Sequence, residues 1–420
     1  MMLTKAPAHA DNAASALPRP YLIWLGAAVT SMIGDAAFSV ALGWAATAHG
    51  GTAAGLVFGC LTAPKIALVL IGGAVADRIG PRLVMLAGDA MMLVTCLSMA
   101  VATMLVGTPL WLLVPVALIW GSVSAFYVPA FHSMPRRLVN DGRMPRALAL
   151  KQSGNHLAAL AGAPLGGLIL VSGGMAATAA GNVLTYGMVL LVLVLIRVPF
   201  TPTERRTGLV REARDGLGLA FRDPPLRTAL LVLSAAIGLF VSVSTLLIPL
   251  LTRANGQTAT VAGVLQGSMS VGFFVVGLTV ARRGGADRLG VASATGILVI
   301  GCGTVLLAAA PALPVSITAA ALIGAGQGLF STHIATLIYS ASPDSHLSRV
   351  SATMSLVQFV SAAVSVGVFG RFADGVGAVA ATATGGTLIV LVGLCALASR
   401  PFRTARGANG EATATDGDRD

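Results

Sequence analysis

The sequence predicts an all-α integral membrane protein that crosses the bilayer twelve times. Two observations carry this. Of 420 residues, 55% are hydrophobic and only 10% are charged, against roughly 25% charged in an ordinary soluble domain. That leaves too little polar surface to cover a water-soluble globule of this size. The apolar residues are also gathered into repeated stretches of the roughly 20 residues that a helix needs to span hydrocarbon, and the mean hydropathy is +0.85.

In the first half, spans are expected near 21–46, 53–76, 83–106, 110–131, 147–172 and 176–198. In the second half they fall near 229–251, 259–281, 291–310, 314–340, 350–369 and 378–399. Residues 1–20 are polar and form a tail. The apolar run after Tyr21 is too long for a signal-peptide core and is taken as a retained span. Most connections are short, but 199–228 is a charged linker with Pro199, Pro202, Pro224 and Pro225. Within it Leu209, Ala213, Leu217 and Phe221 recur at helical spacing, with Arg211, Glu212, Arg214 and Asp215 between them. That pattern predicts an amphipathic helix on the membrane surface, joining two six-span halves, 21–198 and 229–399. Residues 400–420 are expected to be a disordered tail.

Charge placement sets the orientation. The chain holds 27 Lys and Arg against 16 Asp and Glu, a net charge of +11. With the N-terminus in the cytoplasm, Lys65 lies within a span and Arg253 and Arg371 face outward. All the other basic residues fall on cytoplasmic segments or span ends. Positive residues stay on the cytoplasmic side of a membrane protein, so the basic balance reflects topology and argues against a nucleic-acid partner. An even number of spans returns the C-terminus to the cytoplasm. The four cysteines, Cys60, Cys96, Cys302 and Cys395, fall inside apolar stretches without metal-ligand or disulfide spacing and are expected to be small core residues.

The two halves echo each other. Asp77-Arg78-Ile79-Gly80 follows the second span, and Asp287-Arg288-Leu289-Gly290 follows the eighth, 210 residues later (287 minus 77). Parallel repeats of six spans are a known transporter plan.

The stretch Gly73-Ala74-Val75-Ala76-Asp77-Arg78-Ile79-Gly80-Pro81-Arg82 resembles the signature loop of the major facilitator superfamily, G-x-x-x-D-R-x-G-x-[RK]. It lies between spans two and three, where that family carries it. Glycines permit tight helix ends. Asp77 beside Arg78 and Arg82, with Asp89 within reach of the loop arginines, suggests a gate that ties helix ends together in one state and frees them in another. Gly162-Ala163-Pro164-Leu165-Gly166-Gly167 resembles the span-five motif of the family's exporters, with alanine at the usual proline position and proline shifted by one.

Ser31-Met32-Ile33-Gly34-Asp35, Met134-Pro135-Arg136-Arg137-Leu138-Val139, Phe221-Arg222-Asp223-Pro224-Pro225-Leu226-Arg227 and Asn182 are similar to the drug and siderophore exporter branch, the third drug:proton antiporter group. The resemblance implies the major facilitator fold of two six-helix bundles in a bacterial inner membrane. It also implies efflux of amphipathic drugs, macrolide-like antibiotics or siderophores by alternating access. Monomer is the default for that fold.

Ionisable groups at membrane depth are costly and usually functional. Asp35 is the acid near the centre of a span, and Lys65 is the lysine at depth. Their midpoint is residue 50, in the turn His49-Gly50-Gly51. The expectation is an Asp35–Lys65 pair on neighbouring helices that acts as a proton-coupled switch. Trp120, Tyr127, Gln266, Gln327, His333 and Gln358 are polar or amphipathic residues at depth and are candidate substrate contacts; His156 is ambiguous. No G-x-x-x-x-G-K-[ST], G-x-S-x-G or H-E-x-x-H is present, so neither ATP-driven pumping nor enzyme chemistry is expected, and no metal or cofactor. The function predicted is proton-coupled efflux of a small amphipathic substrate. Open alternatives are an uptake symporter, a narrow-specificity siderophore or metabolite exporter, and a non-transporting membrane sensor.

Overall fold

A computed structural model describes residues 17–196, 224–310, 312–340 and 347–404. Within these the secondary structure is helical. The first four long helices are α1 (Arg19–Thr47), α2 (Gly51–Ile79), α3 (Pro81–Val106) and α4 (Leu110–Ser133). A continuous helical stretch, Met144–Leu195, follows. At 1.5 Å per residue its 52 residues would extend well beyond a bilayer core of about 30 Å. It breaks at Gly174, where φ is +68°, a conformation open to glycine and strained for other residues. The two limbs are the fifth and sixth spans, α5 before Gly174 and α6 after it.

The second half comprises α7, running from Pro224 to Ala254 through a wide turn at Val243–Leu247. It is followed by α8 (Ala259–Arg283), α9 (Leu289–Ala309), α10 (Leu313–Ser340), α11 (Leu347–Val376) and α12 (Ala378–Ala398). Twelve spans result among the described residues. α7 starts five residues before the expected 229. The amphipathic linker helix lies outside the described residues, as do most of the tails. Arg400–Arg403 forms a helical turn, with Phe402 2% exposed and its backbone against Gly290. Residues 400–403, expected in the disordered tail, are thus helical, and residues 405–420 lie outside the described residues.

The packing repeats between halves. α1 lies along α5 and α6, α2 against α4, and α3 against α4 and α6. Likewise α7 packs on α11, α8 on α10, and α9 on α10 and α12. Among the described residues the halves meet mainly through α2 with α11 and α5 with α8, with smaller contacts of α7 and α8 on α1 and of α7 on α2. The two Asp-Arg-x-Gly sequences occupy the same place in each half, just before α3 and at the start of α9.

Large apolar side chains face outward all around the bundle, including Met104, Leu105, Leu184 and Leu195, each more than 70% exposed. Such a continuous apolar surface fits lipid, not water. Cys302 and Cys395 are on this exterior and Cys60 is half-buried, so of the four expected core cysteines only Cys96 is buried.

Helix contacts are close because glycines remove side chains where backbones meet. A Cβ on Gly272 would collide with the Ala321 carbonyl, and one on Gly324 with the Met269 carbonyl. These two glycines clasp α8 to α10. Gly277, also on α8, faces open space. Gly272→Ala should therefore destabilise the protein by about 1–3 kcal/mol through overpacking. Gly277→Ala should leave thermal unfolding in detergent micelles unchanged or raise its midpoint. Equal effects from the two substitutions would contradict this packing.

Candidate transport site

Asp35 sits midway along α1, and its partners come from α6. Tyr186 Oη donates to Asp35 Oδ1 at 2.5 Å, and Asn182 Nδ2 donates to the same oxygen at 3.3 Å. Residues 182 and 186 are one helical turn apart and share a face. Thr185 Oγ1 donates to Asn182 Oδ1 at 2.8 Å, which turns the amide so that its NH₂ faces the carboxylate. Close approach is possible because residue 34 is glycine: a Cβ there would strike Asn182 Oδ1 and Thr185 Oγ1.

The expected Asp35–Lys65 contact is absent. Lys65 makes no hydrogen bond or ion pair among the described residues and acts on Asp35 only through space. The reason is helix order in space. α1 packs along α5 and α6 and scarcely touches α2, so matched depth on sequential helices does not bring the side chains together.

Asp89 also departs from expectation. It lies two turns into α3, 1% exposed, and does not reach the loop arginines. Tyr127 Oη, from α4, donates to Asp89 Oδ2 at 3.4 Å. Gly88 makes room for the Tyr127 ring, just as Gly34 makes room for Asn182. Asp35 and Asp89 face one cavity of about 220 Å³, whose wall includes Met32, Met92, Trp120, Tyr127, Phe131 and Tyr186. Two carboxylates therefore meet at membrane depth, where the sequence suggested one.

His132 and Asn155 line the same cavity toward the face that carries the chain termini. Lys151, 4% exposed, stands behind His132. Its Nζ donates to His132 Nδ1 at 3.2 Å and lies 4.1 Å from the centre of the Phe131 ring.

A second cavity, about 320 Å³, lies across α5 between the halves, lined by His156, Phe240, Ser244, Gln266, Phe273 and Gln327 among others. His156 stacks near Phe273, ring centres 5.0 Å apart. Gln327 Oε1 is buried without a hydrogen-bond partner. Of the proposed cavity residues, Trp120 and Tyr127 line the first space, and Gln266 and Gln327 the second. His333 lines neither. Its Nε2 accepts from the Ala286 amide at 3.0 Å and its Nδ1 donates to the Leu329 carbonyl at 2.8 Å, pinning the loop before α9. Gln358 is half-buried on α11 and borders neither space.

In the loop before α3, Gly80 has φ +97° and separates α2 from α3. Arg82 is not paired with Asp77. It donates to the Leu193 and Val194 carbonyls at 2.7 and 3.1 Å, capping the end of α6 within its own half. Asp77 and Arg78 are exposed, and Gly73 is half-buried. The span-five glycines are divided between two neighbours. Gly162 and Gly166 meet α1 at Ile33, Ala36 and Ala37, while Gly167 meets α8 at Ala259 and Thr260. Pro164 meets Gly267 of α8.

Opposite the termini, toward the far face, polar ties that sequence reasoning missed cross between the halves, among them Thr260 Oγ1 of α8 donating to the Gly167 carbonyl of α5 at 3.3 Å. Asp374, on α11, accepts from the Gly51 and Thr52 amides at 2.5 and 2.7 Å and from Thr52 Oγ1 at 2.5 Å, capping the start of α2. Arg253, at the end of α7, donates to the Trp44 carbonyl at 2.8 Å and stacks 4.3 Å over the Trp44 ring.

A family model described as the Major Facilitator Superfamily matches residues 24–366. The chain belongs to the major facilitator superfamily. A curated relative, the multidrug efflux pump Tap of Mycolicibacterium fortuitum, is 23% identical over 372 residues, covering 85% of this chain and 90% of that one. Among solved structures, nucleoside transporter NupG superposes with a TM-score of 0.73 at 10% identity, over 90% of this chain and 99% of that chain. A POT family transporter in complex with a thioalcohol-conjugated peptide gives 0.72 at 15% identity, over 92% and 97%. A bacterial homolog of the human lysosomal transporter Spinster, in an inward-facing and unoccupied conformation, gives 0.70 at 15%, over 93% and 98%. The solved structures share this chain's fold.

The far-face ties predict a measurable shift. Removing the carboxylate in Asp374→Ala leaves the Gly51 and Thr52 amides to solvent. Spin labels at positions 48 and 255, one on each half, should then show a longer or broader distance distribution. An unchanged distribution would mean that the α2–α11 backbone contact, where Gly51 meets Gly370, holds this face together without Asp374.

Proposed function

We propose that this superfamily member is a proton-coupled exporter of amphipathic drugs or natural products. It would act as an antiporter in a bacterial cytoplasmic membrane, with both termini in the cytoplasm. The observation that carries the reading is Asp35, a carboxylate enclosed at membrane depth and held only by neutral donors, Tyr186 and Asn182. A carboxylate in such surroundings can exist in either protonation state, because no permanent cation is bonded to it. Tyr186 serves both states: its hydroxyl donates to the carboxylate and can accept from the carboxylic acid.

Alternating access follows from the distribution of bonds. The far-face ties of Asp374 and Arg253 join the halves on what we take to be the outer side, while Asp77 and Arg78 are free of such ties among the described residues. In the opposite state, the α2–α3 loop would engage the second half and the far-face ties would part. Rocking of two six-helix bodies about the α2–α11 and α5–α8 contacts moves the cavities from one side to the other. The glycines of Gly162-Ala163-Pro164-Leu165-Gly166-Gly167 keep α5 close to both α1 and α8 during that motion. Export, as the direction, is supported by the drug-efflux relative, and an amphipathic substrate by the largely apolar wall of the first cavity.

The test is accumulation of amphipathic dyes and antibiotics in cells expressing the protein. Accumulation of at least one compound should fall on expression, and a protonophore should restore it. Asp35→Asn, matched for surface level, should lose essentially all of this gradient-driven effect. Full activity in Asp35→Asn would remove Asp35 from coupling, and a rise in accumulation on expression would establish uptake instead.

A further inference from the structure

We infer that the cavity between α1, α3 and α4 is a selective site for the compact cationic head of a substrate, with Asp89 as the residue that makes it selective for positive charge. The inference rests on the proposal that this cavity belongs to the transport path.

Three residues with oxygen acceptors line this cavity. Asp35 and Asp89 each present a carboxylate, and each leaves one oxygen outside the hydrogen bonds described above. The third is Asn155 Oδ1, which is fully buried, lines the same cavity and has no hydrogen-bond partner. An orphaned buried acceptor is costly and marks a place where a partner is missing.

Among the described residues, no lysine or arginine lines that place. The charged and titratable groups around it can be taken helix by helix. α1 offers Asp35, α2 Lys65, which acts on Asp35 through space but does not line the cavity, and α3 Asp89 and Cys96. α4 offers Tyr127 and His132, α5 Lys151, and α6 Tyr186. Lys151 points its ammonium at His132 Nδ1 and the Phe131 carbonyl, away from the carboxylates. Because an ammonium can only donate, His132 Nδ1 must accept, and the imidazole is neutral in this arrangement.

The rest of the wall suits an organic cation. Trp120, Tyr127, Phe131 and Tyr186 supply aromatic rings, whose faces attract positive charge, and Met32 and Met92 supply polarisable surface. At about 220 Å³ the space is smaller than the roughly 300–1,000 Å³ of a drug-sized pocket. It is sized for a head group. The second cavity, whose wall holds His156, Gln266, Gln327, Ser244 and Phe240 but no carboxylate, lysine or arginine, lies on the other side of α5 and would take the body of the molecule.

The decisive experiment compares two probes that differ only in charge: phenylpropyl-trimethylammonium and its carbon isostere, in which a tert-butyl group replaces the ammonium. Binding to the full-length protein in detergent micelles is read by titration calorimetry and by quenching of tryptophan fluorescence. The cation should bind at least tenfold more tightly than the isostere. Asp89→Asn should weaken the cation at least tenfold and leave the isostere within twofold, which also shows that the variant is folded. Asp89→Glu should restore part of the preference.

Equal binding of the two probes by the wild type, or an unchanged preference in Asp89→Asn, overturns the inference. Proton-driven export of a neutral amphiphile from proteoliposomes is measured in parallel. If it persists after the charge preference fails, the exporter reading stands and only the cation site is lost. If the preference is present but no gradient drives export, the exporter reading fails and the binding site remains.

Discussion

Close backbone approach between helices is the constraint on which this structure depends. In lipid, burying an apolar side chain against another helix gains little over leaving it against acyl chains, so helices are held by packing, dipoles and hydrogen bonds. With 50 glycines in 420 residues, the chain has the means to bring helices together at many points. Gly72 lies against the Ala125 backbone, Gly121 against Leu61, and Gly296 against Gly326 and Phe330. Each such point sets a distance between two helices that a single methyl group would alter.

The polar site is built by the same device. Asp35 and Asp89 are each preceded by a glycine, and in each case that glycine receives the side chain that supports the carboxylate. A side chain at position 34 would push Asn182 and Thr185 away from Asp35; one at position 88 would push Tyr127 away from Asp89. An unsupported carboxylate at this depth costs several kcal/mol. Removing glycine 34 or 88 would therefore act on charge through geometry, without touching an ionisable group.

Much of the fold was legible because hydropathy and charge placement report directly on the bilayer. Twelve spans and the two-half repeat follow from those signals, and the Gly73–Arg82 loop names the superfamily. The site was less legible because contact in a bundle is set by which helices neighbour each other. Sequential order suggested Lys65 as the partner of Asp35, and proximity to the loop suggested that Asp89 belongs with the arginines. The packing of α1 on α6 and the inward turn of α3 decide otherwise. The repeated Gly-Asp dipeptide at 34–35 and 88–89 was the available signal, since both acids lie on spans behind a residue without a side chain. Tyr186, one turn beyond Asn182, carried no signal of its own: a tyrosine in a span is ordinarily a packing residue.

The site and the far face are coupled by α1. Its middle carries Asp35, its outer end carries Trp44 and Thr47, and Arg253 of the other half bonds to that end. On its opposite flank, Gly162 and Gly166 of α5 fix its distance from the helix that also touches α8. A change in how Asp35 is held by α6 alters the seating of α1 between α5 and α6. Because the helix is rigid and 29 residues long, a small tilt at its middle becomes a larger displacement at Trp44. Arg253 holds that end by one carbonyl bond, a long contact to Thr47 Oγ1 and a ring stack, all of which depend on the position of Trp44 and its neighbour one turn on. On the proposed reading, the charge state or occupancy of the inner cavity would bias the far-face ties through this one helix, with no chain of intermediate residues required.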